Sequence, residues 1–150
     1  MKNLFNESEL NDLKTRLNNL QPTGVRLWGK MDLNQMLAHC SVPFEAPLGK
    51  VPFVDESNFV TKTLIKWVVF RKVKKGDFGK NVPTFKQAII TDARVFETEK
   101  QRLLANIDDF VKKAKSGNIG RHIAFGNLTN EEWGGLMGVH LDHHLKQFSA

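Results

Sequence analysis

The sequence predicts an all-α protein, and three observations support that prediction. Apolar residues recur three or four positions apart in several segments, which is the period of an amphipathic helix. Few segments alternate as a half-buried strand does, and no regular succession of strands and helices indicates a parallel sheet. Helix-capping residues precede three of the apolar segments. We therefore expect a bundle of four or five helices that forms one domain over residues 1–150.

The first two helices are predicted from their capping residues. Asn6, with Glu9 three positions later, is the expected N-cap of a first helix that ends at the segment QPTG. Asp32 and Gln35 have the same spacing at the start of a second helix. The apolar positions are Leu10, Leu13, Leu17 and Leu20 in the first helix and Leu33, Met36, Leu37, Cys40 and Phe44 in the second. Pro43 is expected to kink or shorten the second helix.

The middle of the chain predicts two more helices. The segment SNFVTKTLIKWVVFRKVKK is ambiguous, because its Val-Val-Phe run suits a strand while its wider apolar spacing suits a helix, and its length favours the helix. The residues at that helical spacing are Phe59, Val60, Leu64, Trp67 and Val68. The segment GDFGKNVPTFKQAII is expected to be a long connection. The helical spacing is clearest over TDARVFETEKQRLLANIDDFVKKAKSG, which predicts about six turns with Gly117 as the C-cap.

The last helix is expected to begin at Thr129, which has capping-box spacing with Glu132. The helix contains Gly134, Gly135 and Gly138, and each glycine costs up to about 1 kcal/mol of helix propensity. We therefore expect that packing holds this helix together or that a close approach of another segment requires the small residues.

The composition is that of an ordinary folded protein, with 41% hydrophobic and 25% charged residues. The single cysteine, Cys40, excludes an internal disulfide, and its neighbours in sequence favour a packing role over a nucleophilic one. The start of the chain lacks the pattern of a signal peptide. The nearest candidate for a membrane span, TLIKWVVF, is interrupted by Lys66. We expect a cytoplasmic protein with no membrane among its partners.

The charge balance is basic, with 22 Lys and Arg against 16 Asp and Glu and a formal net charge of +6. The basic residues concentrate in RKVKKGDFGK (71–80) and KKAK (112–115), and neither run belongs to a recognised nucleic-acid motif. Lysine favours exposed helix C-termini and loops in any case. We therefore interpret both runs as solvated surface and do not expect nucleic acid as a partner.

Three of the five histidines lie in GVHLDHHLKQF, near the end of the last helix. A projection at about 100° per residue places His140 and His144 in the middle of the apolar side, His143 at its edge and Asp142 on the opposite side. Two imidazoles one turn apart can share one metal ion, and hydrogen bonding within the core is the alternative. A catalytic metal usually has a third protein ligand, for which His39 on the flank of the second helix is the best candidate.

Other catalytic patterns are absent from the sequence. The zincin motif requires Glu directly after the first histidine, but Leu141 stands there. The sequence also lacks a nucleophile-elbow motif and a glycine-rich phosphate loop after a strand.

The segments HLDHHLKQF and KMDLNQMLAHC together resemble the DinB/YfiT-like superfamily of metalloenzymes. More narrowly, RHIAFGNLTNEEWGGLMGVHLDHHLKQF is similar to an uncharacterised branch of that superfamily, a domain of unknown function with a His-x-x-Phe-Gly-x-Leu-Thr loop before the final helix. The similarity covers residues 28–45 and 121–148. It implies a four-helix bundle with a long crossover connection and one divalent metal ion held by His39, His140 and His144.

The resemblance also implies an activity. Members of the superfamily transfer low-molecular-weight thiols to electrophiles or hydrolyse small molecules, so we expect a small-molecule substrate and a thiol cosubstrate. Zinc, nickel or iron is expected as the metal, because neutral imidazoles suit each of them. A homodimer is compatible with the resemblance. Well-studied relatives have Arg-Gly-Gln after the last ligand, whereas Leu145, Lys146 and Gln147 stand here. This departure weakens the transfer of any relative's substrate.

Three polar residues are candidates for contact with the substrate or for support of a metal ligand. Gln147 could orient a bound water or substrate, or it could hydrogen-bond a neighbouring helix. His122, in the loop before the last helix, could line the mouth of the site or be solvated. His143 is expected to serve the helix edge or to support a ligand. The alternative function is a non-catalytic, metal-containing binding protein that uses its basic surface for a polyanionic or protein partner.

Overall fold

The structure is helical, as the sequence predicts. The computed structural model describes residues 2–80, 82, 84–117 and 119–150, and these residues form α-helices but no strand. The five α-helices among these described residues are α1 (Glu7–Asn19), α2 (Leu33–Leu48), α3 (Lys66–Lys75), α4 (Phe96–Lys115) and α5 (Asn130–Gln147). A π-helical turn, Thr61–Ile65, leads directly into α3, and a 3-10 turn, Lys86–Ala88, lies between α3 and α4. Asn81 and Pro83 of the predicted long connection lie outside the described residues.

The predicted N-caps are confirmed. Asn6 Oδ1 accepts the amide N–H three residues later at the start of α1. In α2 the Asp32 carboxylate accepts from the Gln35 amide at 2.8 Å, and the Gln35 side chain accepts from the Asp32 amide at 3.1 Å. Thr129 and Glu132 form the same reciprocal pair at the start of α5. These bonds satisfy amides that have no partner within the helix, so the helix starts were readable from local sequence.

Of the two effects expected of Pro43, a kink or a shorter helix, the shortening is wrong. The helix continues past Pro43 and Pro47 and ends at Gly49, whose φ of +75° gives the left-handed C-cap. A proline removes one helical hydrogen bond, but α2 packs along α4 with Phe44 fully buried between them. Tertiary burial therefore outweighs the local cost.

The ambiguous segment is confirmed as a helix. It is helical from Phe59 through the π turn and α3, and it ends at Gly76 in the left-handed conformation, with φ +72°. Val73 of α3 is buried against Leu136 and Val139 of α5 in a small apolar cluster. The apolar residues whose spacing predicted the helix, such as Leu64 and Trp67, lie instead on its exposed side.

The main core lies among α1, α2, α4 and α5. Helix α2 runs along α4, and α5 contacts α1 and α2. The largest fully buried side chains in this core are Trp133, Phe44, Phe110, Leu4, Leu13, Leu17, Met36, Leu37, Leu103, Ile107 and Met137. Within the described part of the chain, none of the helices is long and apolar enough to cross a membrane.

The N-terminal segment crosses α5 at two of its glycines. A Cβ atom on Gly138 would lie 2.7 Å from the Lys2 carbonyl oxygen and 2.9 Å from the Asn3 amide nitrogen. One turn earlier, the Leu4 amide donates to the Gly134 carbonyl at 3.0 Å, and a Cβ on Gly134 would collide with Asn3. The close approach expected from the glycine-rich sequence is therefore present.

Gly138→Ala is expected to lower the free energy of unfolding by about 1 kcal/mol. Backbone atoms of Lys2 and Asn3 would have to shift, and overpacking of this kind costs about 1–3 kcal/mol, more than the gain of about 1 kcal/mol in helix propensity. Urea denaturation measures the difference, with Glu131→Ala on the exposed side of α5 as the control. An unchanged or raised stability of Gly138→Ala would show that the N-terminal segment does not hold this position.

Candidate metal centre

Three buried or partly buried histidines from two helices meet at one point. His39 comes from α2, and His140 and His144 come from adjacent turns of α5. One ring nitrogen of each lies within 4.8 Å of the other two, and the Nε2 atoms of His39 and His140 are 3.1 Å apart. The trio predicted from the sequence is therefore close together, in an arrangement that could hold a metal ion.

The protonation of His39 follows from its partner in the 3-10 turn. The Nδ1 atom of His39 lies 2.7 Å from the carbonyl oxygen of Ala88. A carbonyl oxygen only accepts hydrogen bonds, so Nδ1 carries the proton and donates it. The Nε2 atom is then unprotonated, and its lone pair is the one available to a metal ion.

The protonation of His144 follows from a chain of two hydrogen bonds. The Gln147 amide nitrogen donates to the Trp28 carbonyl at 2.7 Å, which orients the other end of the amide. Gln147 Oε1 therefore accepts from His144 Nδ1 at 2.9 Å. His144, like His39, keeps its Nε2 unprotonated. Gln147 is thus engaged on both sides by groups of the protein.

His140 is the histidine whose hydrogen bonding is incomplete. Its Nδ1 atom is buried and has no partner among the described residues, while its Nε2 faces the lone pair of His39 Nε2. A proton on His140 Nε2 would satisfy His39 but leave Nδ1 as an unpaired buried acceptor. A proton on Nδ1 would leave two lone pairs facing each other at 3.1 Å. Ligand nitrogens on one tetrahedral zinc ion are about 3.3 Å apart. A cation shared by the two Nε2 atoms would therefore remove the repulsion between their lone pairs when His140 is protonated on Nδ1.

Burial keeps all three histidines neutral. It lowers the pKa of His39 and, with His144 and His39 disfavouring a further positive charge nearby, holds the pKa of His140 well below its ordinary value. Burial and the proximity of His39 lower the pKa of His144 to about 3. Neutral imidazole is the form that binds metal ions, so the three histidines could bind one at neutral pH without first losing a proton from a charged ring.

The rim of the cluster is largely aromatic. His140 is the most exposed of the three histidines, and the Phe78 ring lies edge-on to it with centroids 6.1 Å apart. His143 lies beside the trio rather than within it, between Phe78 at 6.4 Å and Trp28 at 5.6 Å. The Lys80 ammonium lies 4.7 Å from the centre of the Trp28 ring. A small molecule that reaches His140 from outside would meet these side chains.

Sequence reasoning missed Trp28, Phe78 and Ala88. Each belongs to a connection between helices, and each acts on the site through a backbone carbonyl or a ring edge. No periodicity marks such positions. The one signal in the sequence was the superfamily resemblance, because the first range that it covers, 28–45, begins at Trp28.

His122 is placed away from the trio. Its ring stacks on Phe125 at 4.5 Å and contacts Trp133, which is two turns of α5 before His140. The His122 Nδ1 atom accepts from the amides of Ala124 and Phe125, both at 3.1 Å. Burial, together with the charge of Lys66, lowers the pKa of His122 to about 4. The contacts of His122 organise the loop before α5.

We expect the free energy of unfolding of the metal-free protein to fall as the pH decreases from about 6.5 towards 4. The folded-state pKa of His122 is below its unfolded value, so the unfolded chain binds an extra proton in this window, at about 1.4 kcal/mol per pH unit. In His122→Asn, the amide oxygen of the new side chain can still accept a backbone N–H. The free energy of unfolding should then fall less steeply with pH, by up to about 1.4 kcal/mol per pH unit, which is the contribution of one proton. Urea denaturation at pH 7, 6 and 5 measures both slopes, and equal slopes would contradict the assignment.

Gly29 is the residue that lets the Trp28 loop approach α5. Its φ is +82°, and a Cβ atom there would lie 2.5 Å from the Gln147 amide nitrogen. Gly29→Ala should therefore displace the amide that orients His144, and loss of such a supporting bond typically costs about 10–100-fold in metal affinity. Competition with a chromophoric chelator measures the affinity, with Gly49→Ala as a control at another left-handed position with open space around it. Equal affinities in the two variants would remove Gln147 from the support of the site.

These observations define a helical protein in which three histidines could hold one metal ion. The chain belongs to the DUF1569 family, described as proteins of unknown function, whose family model matches residues 2–150. This confirms the expected domain of unknown function over nearly the whole chain. No curated protein and no solved structure matches the chain.

Proposed function

We propose that this protein is a metal-dependent enzyme in which His39, His140 and His144 hold one divalent ion. The observation that supports this best is the convergence of three neutral imidazoles, two of which have their protons fixed on the far side of the ring. Within the described part of the chain, no carboxylate or thiol joins this group. Three protein ligands leave a coordination position for a small molecule, as is usual in catalytic sites.

The reaction we propose is the activation of a thiol or of water, with thiol transfer ahead of hydrolysis. A divalent ion at this position would supply the Lewis acidity that lowers the pKa of a thiol or a water molecule. Zinc, nickel and iron all suit a set of neutral imidazoles. The preference for a low-molecular-weight thiol as cosubstrate rests on the superfamily resemblance.

The chain's own residues would orient and shield the reacting groups. The Ala88 carbonyl and Gln147 hold two of the ligand rings by hydrogen bonds of 2.7 and 2.9 Å. Phe78 covers the most exposed ligand, and His143 stands between two aromatic rings at the rim. We therefore assign Gln147 to the support of His144 and propose His143 as the polar side chain that meets a substrate. The contacts of His122 favour a structural role.

We further propose that the fold is the four-helix bundle of the DinB/YfiT-like type. Four helices, α1, α2, α4 and α5, share the main core, and the connection over 49–95 includes α3. This matches the long crossover that the resemblance implies, and both partners of the site, α2 and α5, belong to the four. A single domain over residues 1–150 in the cytoplasm, able to form a homodimer, completes the proposal.

The test of the enzyme is an assay of protein reconstituted separately with zinc, nickel and iron(II). Each form is tested on a panel of electrophiles with small thiols and on a panel of esters and amides. We expect turnover by at least one form, with kcat/KM at least about a hundredfold lower in His140→Ala because the position that activates the thiol or water is lost. Lack of turnover by fully loaded protein on both panels would overturn the proposal of an enzyme.

A further inference from the structure

The outer side of the π turn and α3 exposes large apolar side chains. Phe59 is 82% exposed, and Leu64 and Trp67 are each 57% exposed. Together with Val60, Ile65 and Val68, they are six exposed large apolar residues within ten positions of the chain. We call this surface the α3 face and define it by its apolar residues Phe59, Val60, Leu64, Ile65, Trp67 and Val68 and its cations Arg71, Lys74 and Lys75. An exposed apolar surface of this extent usually marks a binding site.

The exposure of the α3 face follows from how the helix is anchored. The opposite side of α3 packs on α5 through Val73, and the Lys66 ammonium pairs with Glu132 at 2.8 Å. Phe70 packs on Phe125 on the same inward side, with ring centroids 6.0 Å apart. With one side held in this way, the apolar residues of the other side cannot turn into the core.

The charge of this segment has one sign. Residues 57–76 include six Lys or Arg residues and no Asp or Glu. At the C-terminal half of the α3 face, Arg71, Lys74 and Lys75 are exposed, and the Arg71 guanidinium lies 4.8 Å from the centre of the Trp67 ring. Aromatic and aliphatic side chains thus adjoin a cationic cluster on the exposed side of one helix, which is the pattern of a helix that lies in a membrane interface.

We propose that the α3 face binds the surface of an anionic lipid bilayer. The cations would pair with acidic headgroups while Phe59, Leu64 and Trp67 enter the boundary between headgroups and acyl chains. A bilayer needs no matching groove, and the face is the outer side of a helix. A symmetric contact between two copies would bring like cations together on a helix that has no acid to offset them. Such peripheral contact departs from the sequence expectation of no membrane partner and requires no spanning helix.

The first test is co-sedimentation with vesicles of neutral phosphatidylcholine and with vesicles that also contain phosphatidylserine. We expect binding to the acidic vesicles that weakens with salt, and much weaker binding to the neutral ones. The double variant Leu64→Ser/Trp67→Ser should reduce the bound fraction at least about fivefold. The matched control is Val25→Ser/Leu27→Ser, because these residues are 70% and 59% exposed but lie in the connection between α1 and α2.

The role of the cations is tested with two double variants that change the net charge by the same amount. Lys74→Glu/Lys75→Glu should abolish the preference for acidic vesicles, whereas Lys112→Glu/Lys115→Glu, at the exposed end of α4, should retain it. Equal losses in the two variants would show that only the net charge matters and would overturn the assignment to the α3 face.

Trp67 provides a direct reading of the contact. Trp67 is exposed, whereas Trp133 is buried and Trp28 is partly buried beside His143, so the contact should act on Trp67. Acidic vesicles should then shift the tryptophan emission to the blue, and brominated lipid should quench it. Both effects should disappear in Trp67→Phe. Equal binding to neutral vesicles, or no change in the emission of bound protein, would overturn the proposal. A dimer that Leu64→Asp dissociates, in the absence of vesicle binding, would instead assign the face to a second copy of the chain.

The proposal is independent of the metal site. His140→Ala should bind acidic vesicles as the wild type does, because His140 lies in α5 and is no part of the α3 face. Failure of the vesicle test therefore leaves the enzyme proposal standing, and the reverse also holds.

Discussion

His140→Ala is expected to lose its metal. Protein purified without a nickel column should hold about one equivalent of a divalent ion, and the variant less than about a tenth of that, because two imidazoles bind an ion much more weakly than three. His39→Ala and His144→Ala should behave in the same way. Each removes one of the three nitrogens that lie within 4.8 Å of one another.

Elemental analysis of the purified variants measures the metal, and circular dichroism confirms that each remains helical. His143→Ala is the matched control, since His143 is on the same helix and next to His144 but outside the group of ligand atoms. It should keep its metal. Full metal content in His140→Ala would remove the central claim about this site, whatever the outcome of the activity assays.

The helices were predictable because their signals are local. Capping pairs such as Asp32 with Gln35 act over three residues, and apolar spacing acts over one or two turns. The same periodicity placed His140 and His144 on one side of α5. His39 needed more, namely the usual number of ligands in a catalytic site and the superfamily resemblance, because no local pattern links α2 to α5.

What could not be predicted depends on segments that meet only in the folded chain. The helical projection correctly placed Asp142 on the side of α5 opposite His140 and His144, but it could not show which residues cover that side. The Asp142 side chain is buried against α1, where Arg16 donates to it at 2.6 Å. Likewise, the Ala88 carbonyl that orients His39 belongs to a long connection without any periodic pattern. A helical-wheel projection gives the direction in which each side chain points, but tertiary packing decides which residues lie in that direction.

Helices α2 and α4 bury a charged network that is separate from the histidines. The Arg102 guanidinium donates to both oxygens of Glu45, at 2.7 and 2.8 Å, and to Glu99 at 2.8 Å. Both carboxylates are buried, and Asn106 also donates to Glu45. The hydrogen bonds to Glu45 and Glu99 raise the pKa of Arg102 above its already high ordinary value, so the guanidinium stays charged.

Arg102→Met is expected to lower the free energy of unfolding by about 3 kcal/mol, because it leaves two buried carboxylates with reduced compensation. Urea denaturation measures the loss. The control is Arg121→Met, whose pair with Asp55 at 3.3 Å is exposed, so it should cost less than about 1 kcal/mol.

A second substitution separates the value of the ion pair from the cost of breaking it. In Arg102→Met/Glu45→Leu the buried charge of Glu45 is gone, so the double variant should be more stable than Arg102→Met alone even though it has lost another polar partner. If the second substitution instead lowers stability further, the network stabilises the α2–α4 contact by its own attraction. Which of the two variants is more stable therefore decides the role of the buried charges beside α2, the helix that carries His39. The charges either stabilise the position of α2 or add no net stability to it.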